Sequence, residues 1–233
     1  RSANMTILAI DTSNLTLGVA LVKDGKVIAE HISHLKKNHS VRAMPAIDEL
    51  LKECGLEPND LTQIAVAKGP GSYTGVRIGV TIAKTLAWSL NIPIKTVSSL
   101  EVLAANGRFF QGLICPLFDA RRGQVYTGLY QYRDGKLHGL EEDQNILLED
   151  WLKKLKAMDQ QVLFIGSDTE IHQEMIEQIL GEQAVIAGPA LQLPRPSELA
   201  LIGELKEAEP VHSVVPNYIR LAEAEAVWLE KQK

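Results

Sequence analysis

Three stretches of this sequence hold residue types that can do chemistry. The first is Asp11-Thr12-Ser13, an acid and two hydroxyls closing a short apolar run. In a turn, such a trio can hold a phosphate or a metal-bound water through hydroxyls and backbone N–H groups. The same trio also makes an Asx turn in which Asp11 caps local amides, and as a bare signal that structural reading is the stronger. The second stretch is Lys68-Gly69-Pro70-Gly71-Ser72-Tyr73-Thr74-Gly75. A Gly-rich loop between a strand and a helix turns amides toward the positive end of the helix. It is not a P-loop, because the Lys precedes the glycines and no Gly-Lys-Ser/Thr follows. The third is Asp119-Ala120-Arg121-Arg122, an acid ending a strand followed by two cations. In an ATPase or kinase acting alone these would face phosphate; as a hairpin turn they are solvated charges.

Other chemistry is harder to place. The histidines are His31, His34, His39, His138, His172 and His212, and none forms an HxxxH or HExxH pair on one helix face. Hydrogen-bonding or surface roles are expected for all of them. There is no GxSxG, and Glu141-Glu142-Asp143 reads as a solvated loop.

The elements that must position these residues follow from periodicity. Strands are expected at residues 6–11, 18–22 and 27–33, the last two joined by an Asp24-Gly25 turn. A helix follows over 40–54, with Ile47, Leu51 and Cys54 at helical spacing and Gly55 closing it. Pro45 inside it predicts a late start or a kink. A strand at 64–67, the Gly-rich loop, a helix over 74–90, a strand at 94–97 and a helix from Leu100 complete a first α/β unit with a mixed sheet. A second unit starts near Gly107, with strands at 113–119, 124–132 and 162–166 and helices over 149–158, 170–180, 197–208 and 221–231. Ile171, Met175, Ile176 and Ile179 are expected to face inward from the 170–180 helix. Asp134-Gly135 repeats the first hairpin turn, which suggests two related halves. On the 74–90 helix, Gly75, Gly79, Ala83 and Ala87 recur every four residues. A stripe of small side chains lets another backbone come close, within the chain or from another subunit.

Composition bounds the function classes. With 233 residues the chain is long enough for one large domain or two small ones. The net charge of -5, from 24 Lys+Arg against 29 Asp+Glu, argues against a large autonomous nucleic-acid surface. Cys54 and Cys115 stand in no metal or redox spacing and read as two buried thiols in a reducing compartment. No membrane-spanning or secretory segment is read, so a cytoplasmic protein is expected. Residues 1–4 precede Met5 and read as an appended remnant.

ILAIDTS near the start, KGPGSYTGVRIGVTIAKTLA in the middle and VVPNYIR near the end together resemble the TsaB (YeaZ) family, over essentially the whole chain from Met5. The resemblance implies an actin-like fold, ribonuclease H-like in each of two lobes, with mixed sheets and flanking helices. The lobes would be residues 5–107, carrying the partner interface, and 108–233, with the last helix packing back on the first lobe. It implies a part in making threonylcarbamoyladenosine beside the anticodon of tRNAs that read ANN codons. The catalytic relatives, TsaD, carry an HxExH-like metal motif where this chain has Ser99 and Leu103. A hydroxyl and an isobutyl group cannot replace two imidazoles around iron or zinc. The resemblance therefore implies a non-catalytic paralogue with no metal of its own; glycoprotease activity, an older name for the wider family, is given little weight. The expected partners are a TsaD-like protein, a TsaE-like ATPase, a second copy of this chain when alone, and tRNA only within the complex. Met44, Ile47, Leu51, Gly75, Gly79 and Ala83 would form the partner face. No intrinsic cofactor is expected. Asp11, Thr12 and Ser13 would be a relic of a phosphate site, and Arg77 would help hold ATP or ADP shared at the partner interface.

Overall fold

The computed structural model describes residues 4–36 and 38–219. The chain divides into two compact units, one running to Val102 and resuming over Leu193–Pro216, the other spanning Leu103–Gln192 and resuming at Asn217.

The first unit is built on strands β1 (Thr6–Asp11), β2 (Thr16–Lys23), β3 (Lys26–His34), β4 (Gln63–Ala67) and β5 (Ile94–Val97), in the order β3-β2-β1-β4-β5. β3, β2 and β1 run antiparallel through tight turns, whereas β1, β4 and β5 are parallel and need helical crossovers. The crossovers are α1 (His39–Glu53) and α2 (Tyr73–Leu90). Side chains alternate along β1, so its two faces enter different cores. Leu8 and Ile10 pack with Ile47, Leu50 and Leu51 of α1 and Val76, Val80 and Ala83 of α2. Ile7 and Ala9 pack with Leu199 and Ala200 on the opposite face. Both sides of β1 are dry, which is why all its residues are buried.

α1 begins one residue before the predicted start, because Asn38 rather than Ser40 is its N-cap and accepts the Ser40 N–H. Pro45 lies well inside the helix, which continues past it. Proline removes only its own N–H, whose acceptor in a regular helix would be the carbonyl of exposed Val41, which water can satisfy.

The second unit repeats the plan. β6 (Leu113–Asp119), β7 (Gln124–Arg133), β8 (Lys136–Leu147), β9 (Val162–Ile165) and β10 (Ala184–Ile186) are ordered β10-β9-β6-β7-β8, again antiparallel on one side and parallel on the other. α4 (Leu148–Ala157) and α5 (Thr169–Leu180) cover one face, with Trp151, Leu152 and Leu155 wholly buried against Cys115, Leu117 and Phe164. The two related halves suggested by the repeated Asp-Gly turn are thus visible as one strand order used twice.

Four expectations change. Glu141-Glu142-Asp143 is part of β8, not a loop, and its pairing with β7 is interrupted by register shifts. Ile171 and Met175 are exposed, and Thr169, Ile176 and Leu180 are the buried residues of α5. Cys54 is only partly buried. The lobe expected over 108–233 loses Leu193–Pro216 to the first unit, because α6 (Pro196–Glu204) lays Leu199 and Ala200 on Ala20, Ala65 and Val97. The helix expected at 221–231 lies outside the described residues.

Candidate functional site

The C-terminal end of β1 is where the chemistry-bearing residues of the first unit meet. Asp11, Thr12 and Ser13 are buried there, joined by the loop before α2 and by Ser99 at the start of α3 (Ser99–Ala104). The sequence reading brought the first three to one turn, and the structure adds what closes it. The Thr12 hydroxyl donates to the Gly75 carbonyl at 2.6 Å. The Ser72 N–H donates to the Ser13 carbonyl at 2.7 Å. The Ser13 and Ser99 hydroxyls are hydrogen-bonded to each other, and the Gly69 N–H donates to Ser99 Oγ at 2.9 Å. Asp11 Oδ1 accepts from the Ser13 N–H at 3.0 Å, as in an Asx turn. The Ser72 side chain caps α2 by accepting from the Gly75 N–H.

Most of the polar atoms that a phosphate would use are therefore engaged within the chain. Asp11 Oδ2 is the exception: it is buried without a partner, and so is Nδ1 of His39. His39 Nε2 donates to the Asn14 carbonyl at 2.6 Å. Burial pushes the Asp11 carboxyl above its ordinary value, against the Ser13 hydrogen bonds and the His39 charge that favour the anion.

The small-residue stripe of α2 turns inward to this same turn. A Cβ on Gly75 would stand 2.4 Å from the Thr12 carbonyl oxygen, and one on Gly79 would stand 2.5 Å from Thr12 Oγ1. Ala83 and Ala87 are buried in the same line. Gly75, Gly79 and Ala83, expected at the partner face, thus serve the close approach of α2 to β1. Ile47 and Leu51 are core residues as well. Of the six expected contacts, Met44 alone is exposed.

α1 and α2 form one layer over the sheet, and what they leave uncovered is different. Val41 is 67% exposed, Met44 45%, Tyr73 53% and Trp88 78%. Arg77 is exposed on the same helix as Tyr73, its guanidinium 5.4 Å from the ring centroid and Nη1 donating to the Tyr73 hydroxyl at 3.3 Å. The exposed residues of α2 include Tyr73, Arg77, Thr81, Thr85 and Trp88, a stripe of the 3.6-residue period.

Ser99 and Leu103 are fully buried. Ser99 is held between Ser13 and Gly69, and Leu103 offers only hydrocarbon, so the donors needed for iron or zinc are not there. Among the described residues no group of three or more His, Cys, Asp or Glu side chains stands close enough to hold a metal.

A second constellation lies in the second unit, at the carboxyl ends of β6 and β9. His172 Nε2 meets Asp119 Oδ1 at 3.0 Å, and the Asp119 N–H donates to Asp168 Oδ2 at 2.9 Å. Arg121 and Arg122 follow at φ of 68° and 53° in the hairpin. Sequence reasoning singled out Asp119, Arg121 and Arg122 and expected a hydrogen-bonding or surface role for His172, but did not name Asp119 as its partner, 53 residues away. The only signal available was that both sit where parallel strands end.

Comparison with known proteins places this geometry. The family model described as "TsaD: tRNA N6-adenosine threonylcarbamoyltransferase" matches residues 26–228. The tRNA threonylcarbamoyladenosine biosynthesis protein TsaB of Bacillus subtilis is 66% identical over 98% of this chain and 100% of its own. A tRNA N6-adenosine threonylcarbamoyltransferase of Thermus thermophilus is 32% identical, covering 56% of this chain and 45% of that protein. Among solved structures, YeaZ from Pseudomonas aeruginosa superimposes with a TM-score of 0.78 at 27% identity, over 92% of this chain and 99% of the other. The two-lobed actin-like fold is thereby established. Among the described residues no helix is long and apolar enough to cross a membrane.

Proposed function

The chain belongs to the TsaB family of tRNA threonylcarbamoyladenosine biosynthesis proteins, and we propose that within that pathway it is a non-catalytic subunit that pairs with a TsaD-like threonylcarbamoyltransferase. The observation that carries the non-catalytic reading is the state of the β1 end. The residues standing where the resemblance puts metal-binding histidines are Ser99 and Leu103, both enclosed in the fold. The turn formed by Asp11, Thr12 and Ser13 is closed by the chain's own hydrogen bonds. Neither a metal nor a nucleotide phosphate finds its usual ligands there.

Pairing uses the uncovered side of α1 and α2. Val41 and Met44 on one helix and Tyr73 and Trp88 on the other supply large apolar or aromatic side chains, the types enriched at interface anchors. Arg77, laid against Tyr73, adds a cation beside them. The same face serves a second copy of this chain when the relative is absent, as an isologous dimer. A TsaE-like ATPase and tRNA join only the assembled complex, and any ATP or ADP is shared there, with Arg77 rather than the buried Asp11 as the candidate contact. The protein works in the cytoplasm, beside the tRNA pool it helps modify.

The decisive experiment is threonylcarbamoylation of tRNA in vitro. It would contain the TsaD-like protein, the TsaE-like ATPase, threonylcarbamoyl-adenylate and ATP, with and without this chain, and the modified nucleoside would be counted by mass spectrometry. Product that depends on the chain, while the chain alone hydrolyses no ATP, is the expected result. Equal product without it, or ATP turnover by the chain alone, would favour the actin-like ATPase reading centred on Asp119.

A further inference from the structure

Phe109 is 94% exposed, in the short connection between the turn Ala105–Gly107 and β6. Its neighbour Phe110 is half-buried and lies against Gly112, where a Cβ would come within 2.8 Å of the Phe110 ring. The Phe110 N–H donates to the Gly107 carbonyl at 2.9 Å. The backbone on which Phe109 stands is thus pinned on both sides. Beside it, the Arg108 guanidinium lies 5.9 Å from the centroid of Tyr132. Together with Gln111, Gln160 and Gln131, whose Oε1 accepts from Arg133 Nε at 2.8 Å, these residues line a groove of about 610 Å³. Arg133 and Lys136 adjoin the lining residues Tyr132 and Gly135 in the chain, at the hairpin between β7 and β8, and the acids next to lining residues in the chain are Asp134 and Asp159.

We propose that this groove seats an unpaired base of an RNA strand, stacked on Phe109, with the neighbouring phosphates against Arg108, Arg133 and Lys136. Three features select this occupant. An aromatic face next to an Arg-on-Tyr pair is a stacking platform for a planar π-system. Primary amides offer donors and acceptors together, which the edge of a nucleobase needs and an aliphatic side chain does not. The local charge is positive, three cations against two acids, in a chain whose net charge is -5. A protein hot spot would call for a contiguous apolar patch, whereas the rings of Phe109, Phe110 and Tyr132 share this groove with Arg108 and three glutamines. The volume lies within the range of small-ligand sites. The inference rests on the pathway role above, since a complex that modifies tRNA brings unpaired anticodon-loop bases to its surface.

The test uses the full chain assembled with the TsaD-like protein, and a single-stranded oligoadenylate of about ten nucleotides carrying one fluorescent adenine analogue. The wild-type chain should quench the analogue at low salt, more weakly as salt rises. Phe109→Ala should weaken binding roughly five-fold or more, and Phe109→Trp should restore it. Arg108→Ala should weaken binding and flatten the salt dependence. Phe109 is exposed, so none of these variants is expected to unfold. Quenching by Phe109→Ala equal to wild type overturns the proposal, as does the absence of quenching by the wild-type chain. So does a Phe109→Ala variant that loses association with the TsaD-like protein while binding RNA normally, for then the groove is a protein contact. The threonylcarbamoylation assay above decides the subunit reading independently: product that depends on this chain, with no base stacking, sinks the groove alone.

Discussion

Two carboxyls in the first unit, Asp11 buried and Glu30 partly buried, show how one functional group is set to opposite tasks by its neighbours. Glu30 on β3 accepts from the Ser197 N–H at 3.1 Å, the Ser197 hydroxyl at 2.6 Å and Arg195 Nη2 at 2.6 Å, tying down the start of α6. Burial alone would raise its carboxyl, but the hydrogen bonds from Arg195 and Ser197 outweigh burial and hold it below the ordinary range. Asp11 has no such cation in contact, and burial wins. The linkage signs are therefore opposite. Stability from Glu30 is present above the unfolded value of about 4.3 and disappears as pH falls through its depressed folded value. Thermal melts of Glu30→Gln should show a loss of about 1–2 kcal/mol near neutrality that closes in acid. Asp11 favours the folded state when protonated, and that contribution is lost as pH rises through its raised folded value. The melting temperature of Asp11→Asn relative to wild type should accordingly climb with pH. A flat difference would mean that Asp11 Oδ2 finds a partner in solution.

α2 is the element that the sequence described most fully and whose direction it left open. Its period separates a small stripe from a larger one, and only the sheet beneath decides which is inside. With the Gly79 Cα facing Thr12, an added methyl meets Thr12 Oγ1, which is held by its bond to the Gly75 carbonyl. Gly79→Ala should cost about 1–3 kcal/mol by chemical denaturation, as overpacking does, and Gly79→Leu should compromise folding rather than pairing alone. Trp88→Asp carries the complementary expectation. Trp88 is mostly solvent-exposed, so its replacement should leave stability within about 0.5 kcal/mol. Association with the TsaD-like protein, followed by titration calorimetry, should fall at least ten-fold, because a charge at an apolar interface is left unpaired. Unchanged association would remove α1 and α2 from the partner face.

At the scale of the molecule, the chain crosses into the second unit and comes back. α6 lies on the face of the first sheet opposite α1 and α2, with Leu199 and Ala200 wholly buried. β5 is further joined by an isolated bridge between Ile94 and Glu209, and Glu209 accepts from the Thr96 hydroxyl at 3.1 Å. The first unit is thus completed by a late segment and cannot be made from residues up to 102 alone. Leu199→Ala should destabilise by about 2–5 kcal/mol. Hydrogen exchange should report the loss in β1, β2 and β4 before β6 and β9. Loss of protection first in the second sheet would contradict this assignment of α6.

The elements themselves were legible because each obeys a local rule. β1, β5 and β6 are bounded as apolar runs of strand length, α1 stops at Glu53 just ahead of Gly55, whose φ is 65°, and the Asp-Gly turns mark both hairpins. The family was legible because KGPGSYTGVRIGVTIAKTLA is long and unusual. Local rules were silent wherever a contact joins distant residues. The turn at Asp11 is closed by Ser99, 86 residues from Ser13. His172 reaches back to Asp119, and α6 returns to the first sheet. Whether Gly79 faces a partner or Thr12, and whether Ile171 faces core or water, depends on which side of a helix the sheet occupies. A 3.6-residue period specifies that there are two sides; the packed sheet decides which one is buried.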